Sequence, residues 1–315
     1  ELAKDTVGDK AIIVCGINCE SSIEAQLHTE DAVSAGADAI MMGSVHSETN
    51  PLGKTSEYPE QYDAGLLFPI DRNESWKASG DDRSAITFYG VDIWNGYEVS
   101  WLTPNGKPVV CVAEFRVPSD SPFLVESKSF KLYLNSFNQT RFESESDVKA
   151  VMGRDLSLAA GGAVTVAFHG MDYVYPAAPD AMCIDDVDVD ISSYTPSPEL
   201  LKVVPDSQFD GWICSHLLKS NCPVTGQPDW GSVYIQYKGQ EIDKASLLAY
   251  LVSLRQHQDF HEQCVERTFR DIQQRCAPES LTVYARYVRR GGLDINPFRT
   301  TEETFEALNF RLQRQ

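Results

Sequence analysis

"YEVSWLTPNGKPVVCVAEFRV" (residues 97–117) decides the fold. Two β-rich runs, 97–102 and 108–117, flank a turn centred on Asn105-Gly106, which is a hairpin signal. Two helical patterns follow. "SKSFKLYLNSFNQTRF" (127–142) places Phe130, Leu134 and Phe137 at helical spacing, and "SESDVKAVMGRDLSLAA" (144–160) opens on Ser144 or Ser146 as a cap. "GGAVTVAFHGMDYV" (161–174) then reads as a strand. The order is strand, strand, helix, helix, strand.

After the acidic stretch "CIDDVDVDISSYTPSPELL" (183–201), which reads as a short strand and a linker, the same order returns. "GWICSHLLKS" (211–220) and "SVYIQYKGQ" (232–240) are strands. "DKASLLAYLVSLRQHQ" (243–258) and "FHEQCVERTFRDIQQRC" (260–276) are helices, and "SLTVYARYVRR" (280–290) is a strand. The recurrence predicts a duplicated α+β domain with antiparallel sheets and paired helices on one face.

Upstream the texture differs. "AIIVCGIN" (11–18) reads as a buried strand, and "SSIEAQLHTEDAVSAGADAIMM" (21–42) as a helix leading into another strand, with Ser21 or Ser22 as N-cap and Glu24 in its first turn. A polar, turn-rich stretch follows. The expected division is an N-terminal extension over 1–48, one module over 49–195 and a second over 196–315.

Composition narrows the function. The 315 residues carry 46 acidic and 27 basic side chains, a formal net charge of −19. That balance disfavours broad contact with a nucleic-acid backbone, which needs clustered Lys and Arg. No apolar run approaches the ~20 residues of a membrane helix, and the opening residues have no signal-peptide pattern. Eight cysteines are scattered without a CxxC pair, so reduced thiols in a cytoplasm are expected rather than a disulfide framework. Cys15 and Cys19 lack a second pair at finger spacing, and the HExxH pattern fails at Val265, so no metal site is expected. No GxGxxG follows a strand, which leaves a Rossmann domain unsupported.

Several residues could carry chemistry. Cys222 and Asp229 lie seven positions apart across "PVTGQP", a turn-rich loop in which the thiol should be reachable and the acid can fold back toward it. A thiol at its ordinary pKa of about 8.5 is mostly protonated at neutral pH, so a nucleophilic cysteine needs a base or a polarising field. His261 is a candidate neighbour. The bland alternative is a buried thiol at a strand end. His261 and Glu262, beside the Phe260/Cys264 face of a helix, read otherwise as a solvated edge. Glu126, Ser127 and Lys128 read as a capped helix start or as an anion site. "RRGG" (289–292) reads as a surface basic cluster or as a place where glycine lets backbone approach a ligand.

Taken together, "VESKSFKLYLNSFNQTRF" (125–142), "LLKSNCPVTGQPDWGSVYIQYKG" (217–239), "LRQHQDFHEQCVER" (254–267) and "LTVYARYVRRGGLDINPFR" (281–299) resemble the NADPH-dependent 7-cyano-7-deazaguanine reductases, nitrile reductases of queuosine biosynthesis, in their long two-module form. The resemblance spans about 50–315 and implies tandem tunnelling-fold (T-fold) domains. It implies that Cys222 adds to the nitrile carbon to give a thioimide, that Asp229 protonates the nitrile nitrogen and that His261 assists. Val125, Glu126, Ser127, Phe260, His261 and Glu262 would bind the substrate. Ser127, Lys128, Arg290 and Gly291 would bind NADPH. The small-molecule substrate would be met without direct nucleic-acid or membrane contact, in a cytoplasmic homodimer, and the site would form where the halves meet. Residues 1–48 instead resemble one βα unit of the dihydrodipicolinate synthase group of (β/α)8 barrels, which cannot close a barrel alone.

Two other readings stay open at this point. A tunnelling-fold cyclohydrolase or pterin enzyme would require a His/Cys metal cluster. A non-catalytic purine-binding module would bind without forming a covalent adduct.

Overall fold

A computed structural model describes residues 58–78 and 82–315, together with strands β1 (Val14–Ile17) and β2 (Ala39–Met42). The chain divides into Glu1–Glu57 and Tyr58–Gln315. In the first unit β1 and β2 pair in parallel, from Val14↔Ala39 to Ile17↔Met42. The helix expected between them, with its Ser21 or Ser22 cap, lies outside the described residues.

The second unit runs β3 (Pro69–Asp71), α1 (Glu74–Ala78), β4 (Tyr89–Leu102), β5 (Pro108–Pro118), β6 (Phe123–Val125), α2 (Ser127–Ser136), α3 (Glu145–Ala160), β7 (Thr165–His169), β8 (Met182–Cys183), β9 (Val203–Ser215), β10 (Lys219–Asn221), β11 (Pro228–Ile242), α4 (Lys244–Ser253), α5 (His261–Cys276), β12 (Ser280–Tyr287) and β13 (Leu293–Thr300). The architecture is α+β in tandem tunnelling-fold form, and both halves contribute to one sheet. Its order is β7-β5-β4-β13-β12-β11-β9-β8, with β10 paired to β11. Every pairing in it is antiparallel except β8 with β9.

The duplication reaches individual hydrogen bonds. Glu126 caps α2 by accepting from Ser129 N at 2.6 Å, and Asp243 caps α4 by accepting from Ser246 N at 2.8 Å. Four residues further along each helix, Tyr133 donates to Asp155 at 2.9 Å and Tyr250 donates to Asp271 at 2.8 Å. Arg154 and Arg270 each hold the adjacent aspartate at 2.8 Å. In each module the buried tyrosine therefore ties the first helix to the second through a carboxylate whose charge a neighbouring guanidinium offsets.

Alternation along the strands separates two faces. The helices cover one face with two apolar clusters. Phe115, Phe130, Tyr133, Phe137 and Met152 pack in the first module, and Ile235, Tyr250, Leu251, Phe269 and Ile272 in the second. On the other face Val91, Ile93, Tyr234, Tyr284 and Phe298 pack against Ala307 and Phe310 of the final segment.

The sequence pattern does not predict strand β13. "LDINPFRT" contains a proline and alternates poorly, yet β13 is the strand through which the halves join. It pairs with β4 from Leu293↔Gly96 to Thr300↔Tyr89, and with β12 over Thr282–Tyr284. Pro297 is tolerated because the β12 ladder ends at Phe298, so no partner on that side needs its missing N–H. Arg290 N bonds Leu293 O at 2.8 Å and Leu293 N bonds Arg290 O at 3.3 Å, closing a two-residue turn on Gly291 and Gly292. Their φ values of 60° and 81° are those of a type I′ hairpin, which suits glycine at both positions. The "RRGG" glycines thus have a backbone reason to be there before any ligand is considered.

Candidate active site

The site is built on a hairpin. β10 and β11 pair Ser220↔Asp229 and Asn221↔Pro228, and Cys222 N bonds Gln227 O at 2.9 Å to continue the ladder. Directly opposite residues share a face and the side-chain period is two, so Cys222 and Asp229 project from the same face as diagonal neighbours. The spacing of seven is the consequence of this loop. Cys222 is only 7% exposed, against the expectation of a reachable thiol. The ladder folds the loop inward, and Lys131 lies close enough to both Cys222 and Asp229 to interact electrostatically with each.

Asp229 is 5% exposed and sits between an imidazole and a guanidinium. His261 Nε2 is 3.3 Å from its Oδ2, and Arg290 Nη1 is 2.9 Å from its Oδ1. Burial opposes ionisation of Asp229, but His261, Arg290 and Lys131 outweigh it and hold the carboxyl below its ordinary value. His261 opens α5 and stacks on Tyr287, with ring centroids 3.8 Å apart and planes 6° apart. That stack fixes the imidazole plane, while its Nδ1 is buried without a hydrogen-bond partner.

Glu262, the next residue, is 3% exposed, so this turn of α5 is not a solvated edge. Burial, with Asp92 nearby, pushes its carboxyl up to about 7. One turn further on, Glu266 shows the opposite balance. Burial disfavours its charge as well, but Arg299 (2.8 Å) and Arg83 (2.8 Å) hold its carboxyl down to about 2. Asp92 in turn pairs with Arg72 and Arg299, each at 2.7 Å. This buried network locks α5 onto β4 and β13, and with it the placement of His261 and Glu262.

The first module supplies the other wall. Val125 is buried at the end of β6, and Glu126, 1% exposed, accepts from Lys128 N at 2.7 Å and Ser129 N at 2.6 Å. Burial raises its carboxyl above the ordinary value even so. Ser127 Oγ also donates to Oε1, at 3.4 Å, so Oε2 is the oxygen that keeps a further lone pair. Ser127 and Phe260 are both half-buried, Ser127 as the first residue of α2 and Phe260 as the N-cap of α5. Lys131, one turn into α2, is within electrostatic reach of Glu126 in its own module and of Cys222, Asp229 and Arg290 in the second. A cavity of about 270 Å³ opens beside it, lined by Lys131, Asn135, Glu98, Gly291 and Gly292 among others.

Residues 58–168 match the family model described as "Nitrile reductase, 7-cyano-7-deazaguanine-reductase N-term", and residues 228–306 match one described as "QueF-like protein". Together these spans cover more than half of the chain, in the order of the two modules. The chain belongs to the QueF family of nitrile reductases. It is therefore an oxidoreductase acting on a small-molecule nitrile, and among the described residues no helix is long and apolar enough to cross a membrane. The QueF spans divide the site between them. Glu126, Ser127, Lys128 and Lys131 fall in the first, and Asp229, Phe260, His261, Glu262, Arg290 and Gly291 in the second. Cys222 stands just ahead of the second span.

Sequence reasoning missed Lys131 and Tyr287. Lys131 follows Phe130 in the core stripe, and the one local signal for it is that it lies one helical turn after Ser127, on the same face. Tyr287 reads only as a strand residue; nothing local marks it as the surface on which His261 stacks.

Proposed function

We propose that the chain reduces 7-cyano-7-deazaguanine to 7-aminomethyl-7-deazaguanine with NADPH, through a thioimide on Cys222, in queuosine biosynthesis. The observation that carries this reading is the hairpin geometry: a thiol and a cation-flanked buried carboxylate on one face, with His261 against that carboxylate. A nitrile carbon is electrophilic, and its nitrogen needs a proton as charge develops. Cys222 Sγ bonds to that carbon, and the thiol proton passes to Asp229. His261, Arg290 and Lys131 keep Asp229 ionised, so it has a vacant oxygen to take that proton in passing. Asp229 then gives the proton to the nitrile nitrogen, leaving a neutral thioimide and an ionised Asp229 again. His261, held in plane by Tyr287, resupplies protons as the nitrogen becomes an amine, and the C–S bond breaks midway to return Cys222 as the leaving group.

Glu262 and Glu126 accept hydrogen bonds from the ring N–H and amino groups of the guanine-like edge. Val125 and Ser127 frame Glu126, and Phe260 packs on the base. The residues present fit an anionic cofactor. Lys131 and the Gly291-Gly292 backbone line the cavity, and a Cβ on Gly291 would come within 3.2 Å of the Lys131 side chain. Ser127, Lys128, Arg290 and Gly291 hold NADPH with them, which supplies two hydrides per amine formed. The modules divide at about 49–195 and 196–315, and the working form is a cytoplasmic homodimer, in keeping with the free thiols.

The test is stoichiometric. The protein, NADPH and the cyano-deazaguanine should consume two NADPH for each amine, and substrate without cofactor should add its mass to Cys222. Tight binding with no mass shift would favour a non-catalytic purine-binding module instead.

A further inference from the structure

Away from the helix-covered face, the strand pairing assembles a second set of reactive donors. The two-residue strand β8 aligns Cys183 beside Cys214 of β9 in parallel register. His216 follows at the end of β9. The two sulfurs and a ring nitrogen of His216 lie within 4.8 Å of one another. Cys214 belongs to the cluster of Tyr234, Tyr284 and Phe310, on the opposite side of the sheet from the helices. The set is thus separate from the Cys222 site.

Its surroundings hold the donors in place. Ser232 Oγ lies 2.8 Å from His216 Nδ1, and Arg314 donates to the same hydroxyl at 2.9 Å and to His216 O at 2.8 Å. Asp185 accepts from His216 N at 3.0 Å and from Ser215 Oγ at 2.6 Å, while Ile184 N bonds Cys214 O at 3.0 Å. Both strand ends that carry the donors are therefore pinned by hydrogen bonds that use none of the sulfurs. We propose that Cys183, Cys214 and His216 form a zinc site. Two soft sulfurs and an imidazole are a zinc-type donor set, with the fourth position left for water. Ligand atoms around tetrahedral zinc stand about 3.5–3.8 Å apart, so closure needs a contraction of at most about 1 Å. Cys183 is exposed at the sheet edge and can supply it. Zinc would clip β8, and with it the start of the acidic connection between the modules, onto β9.

The test loads the full-length protein with zinc after reduction and removes excess metal. One zinc per chain should remain, and cobalt in its place should give sulfur-to-metal absorption and the visible bands of a tetrahedral ion. Cys183→Ser, at an exposed position that leaves the core intact, should weaken binding by more than the roughly 10–100-fold lost when a residue that only orients a metal ligand is removed. Cys214→Val should do the same, and Cys222→Ala should keep the metal and its spectrum. Metal retained equally by Cys183→Ser, metal lost with Cys222→Ala, or a mass two hydrogens short that places a Cys183–Cys214 disulfide in the isolated protein would each overturn the site. None of these readouts depends on nitrile reduction.

Discussion

The two modules share a scaffold but not a site. Glu126 and Asp243 cap equivalent helices, and Tyr133–Asp155 and Tyr250–Asp271 make equivalent ties. The difference lies at the second helix of each. In the first module α3 opens on Glu145 and Ser146, both exposed, whereas in the second α5 opens on His261 and the buried Glu262. Likewise the β4–β5 hairpin closes on Asn105-Gly106 with no acid or thiol in its loop, while the β10–β11 hairpin carries Cys222 and Asp229. Duplication preserved what holds helices to the sheet. The residues proposed to carry the chemistry fall mainly in the second copy, with Glu126 and Lys131 of the first proposed as one wall.

The sharpest break of that comparison is Cys222→Ala, expected to lower turnover by roughly 10³-fold or more and to abolish the mass shift with substrate. The first module's buried Cys111, changed to Ala, should leave both intact. Asp229→Asn comes next, with kcat down by roughly 10²–10⁴-fold and adduct formation slowed alongside it, read by single-turnover kinetics. A smaller effect is expected for Glu262→Gln, which should raise KM about 10–100-fold, the worth of a hydrogen bond to a charged group. Glu145→Gln at the matching turn should do nothing to KM. The pH dependence follows from Glu262 being raised to about 7. Its carboxylate is present above that pH and lost as pH falls through it, so KM should climb below about pH 7, and Glu262→Gln should flatten that limb. If Glu262→Gln leaves both KM and its pH profile unchanged, Glu262 does not bind the base.

The smallest effects test the shared scaffold. Tyr250→Phe should cost about 1–2 kcal/mol in urea unfolding, because Asp271 loses a buried donor. Tyr133→Phe should cost less, since Asp155 keeps a second phenol, Tyr62, at 2.6 Å. Equal losses would mean that the two ties are energetically as well as geometrically equivalent.

Much of this was legible in the residues. The strand, strand, helix, helix, strand order appears twice because periodicity of two or 3.6 is a local property that burial of one face imposes. Helix caps such as Ser144 were visible for the same reason, and the spacing of Cys222 and Asp229 pointed to a loop between them. Three things required the tertiary structure. β13 has no clean alternation, and only its neighbours on both sides make it the central strand. Glu262 and Glu266 look alike in sequence, yet burial, with Asp92 nearby, drives the first carboxyl up, while Arg299 and Arg83 drive the second down. Lys131, Tyr287 and the Cys183–Cys214–His216 set owe their neighbours to pairings between distant segments, which no local pattern records. Sequence determined the elements and the reactive residue types, because those follow from short-range sterics and hydrophobic period. The fold decided which charges meet out of water, because electrostatic effects depend on distance and burial across the chain.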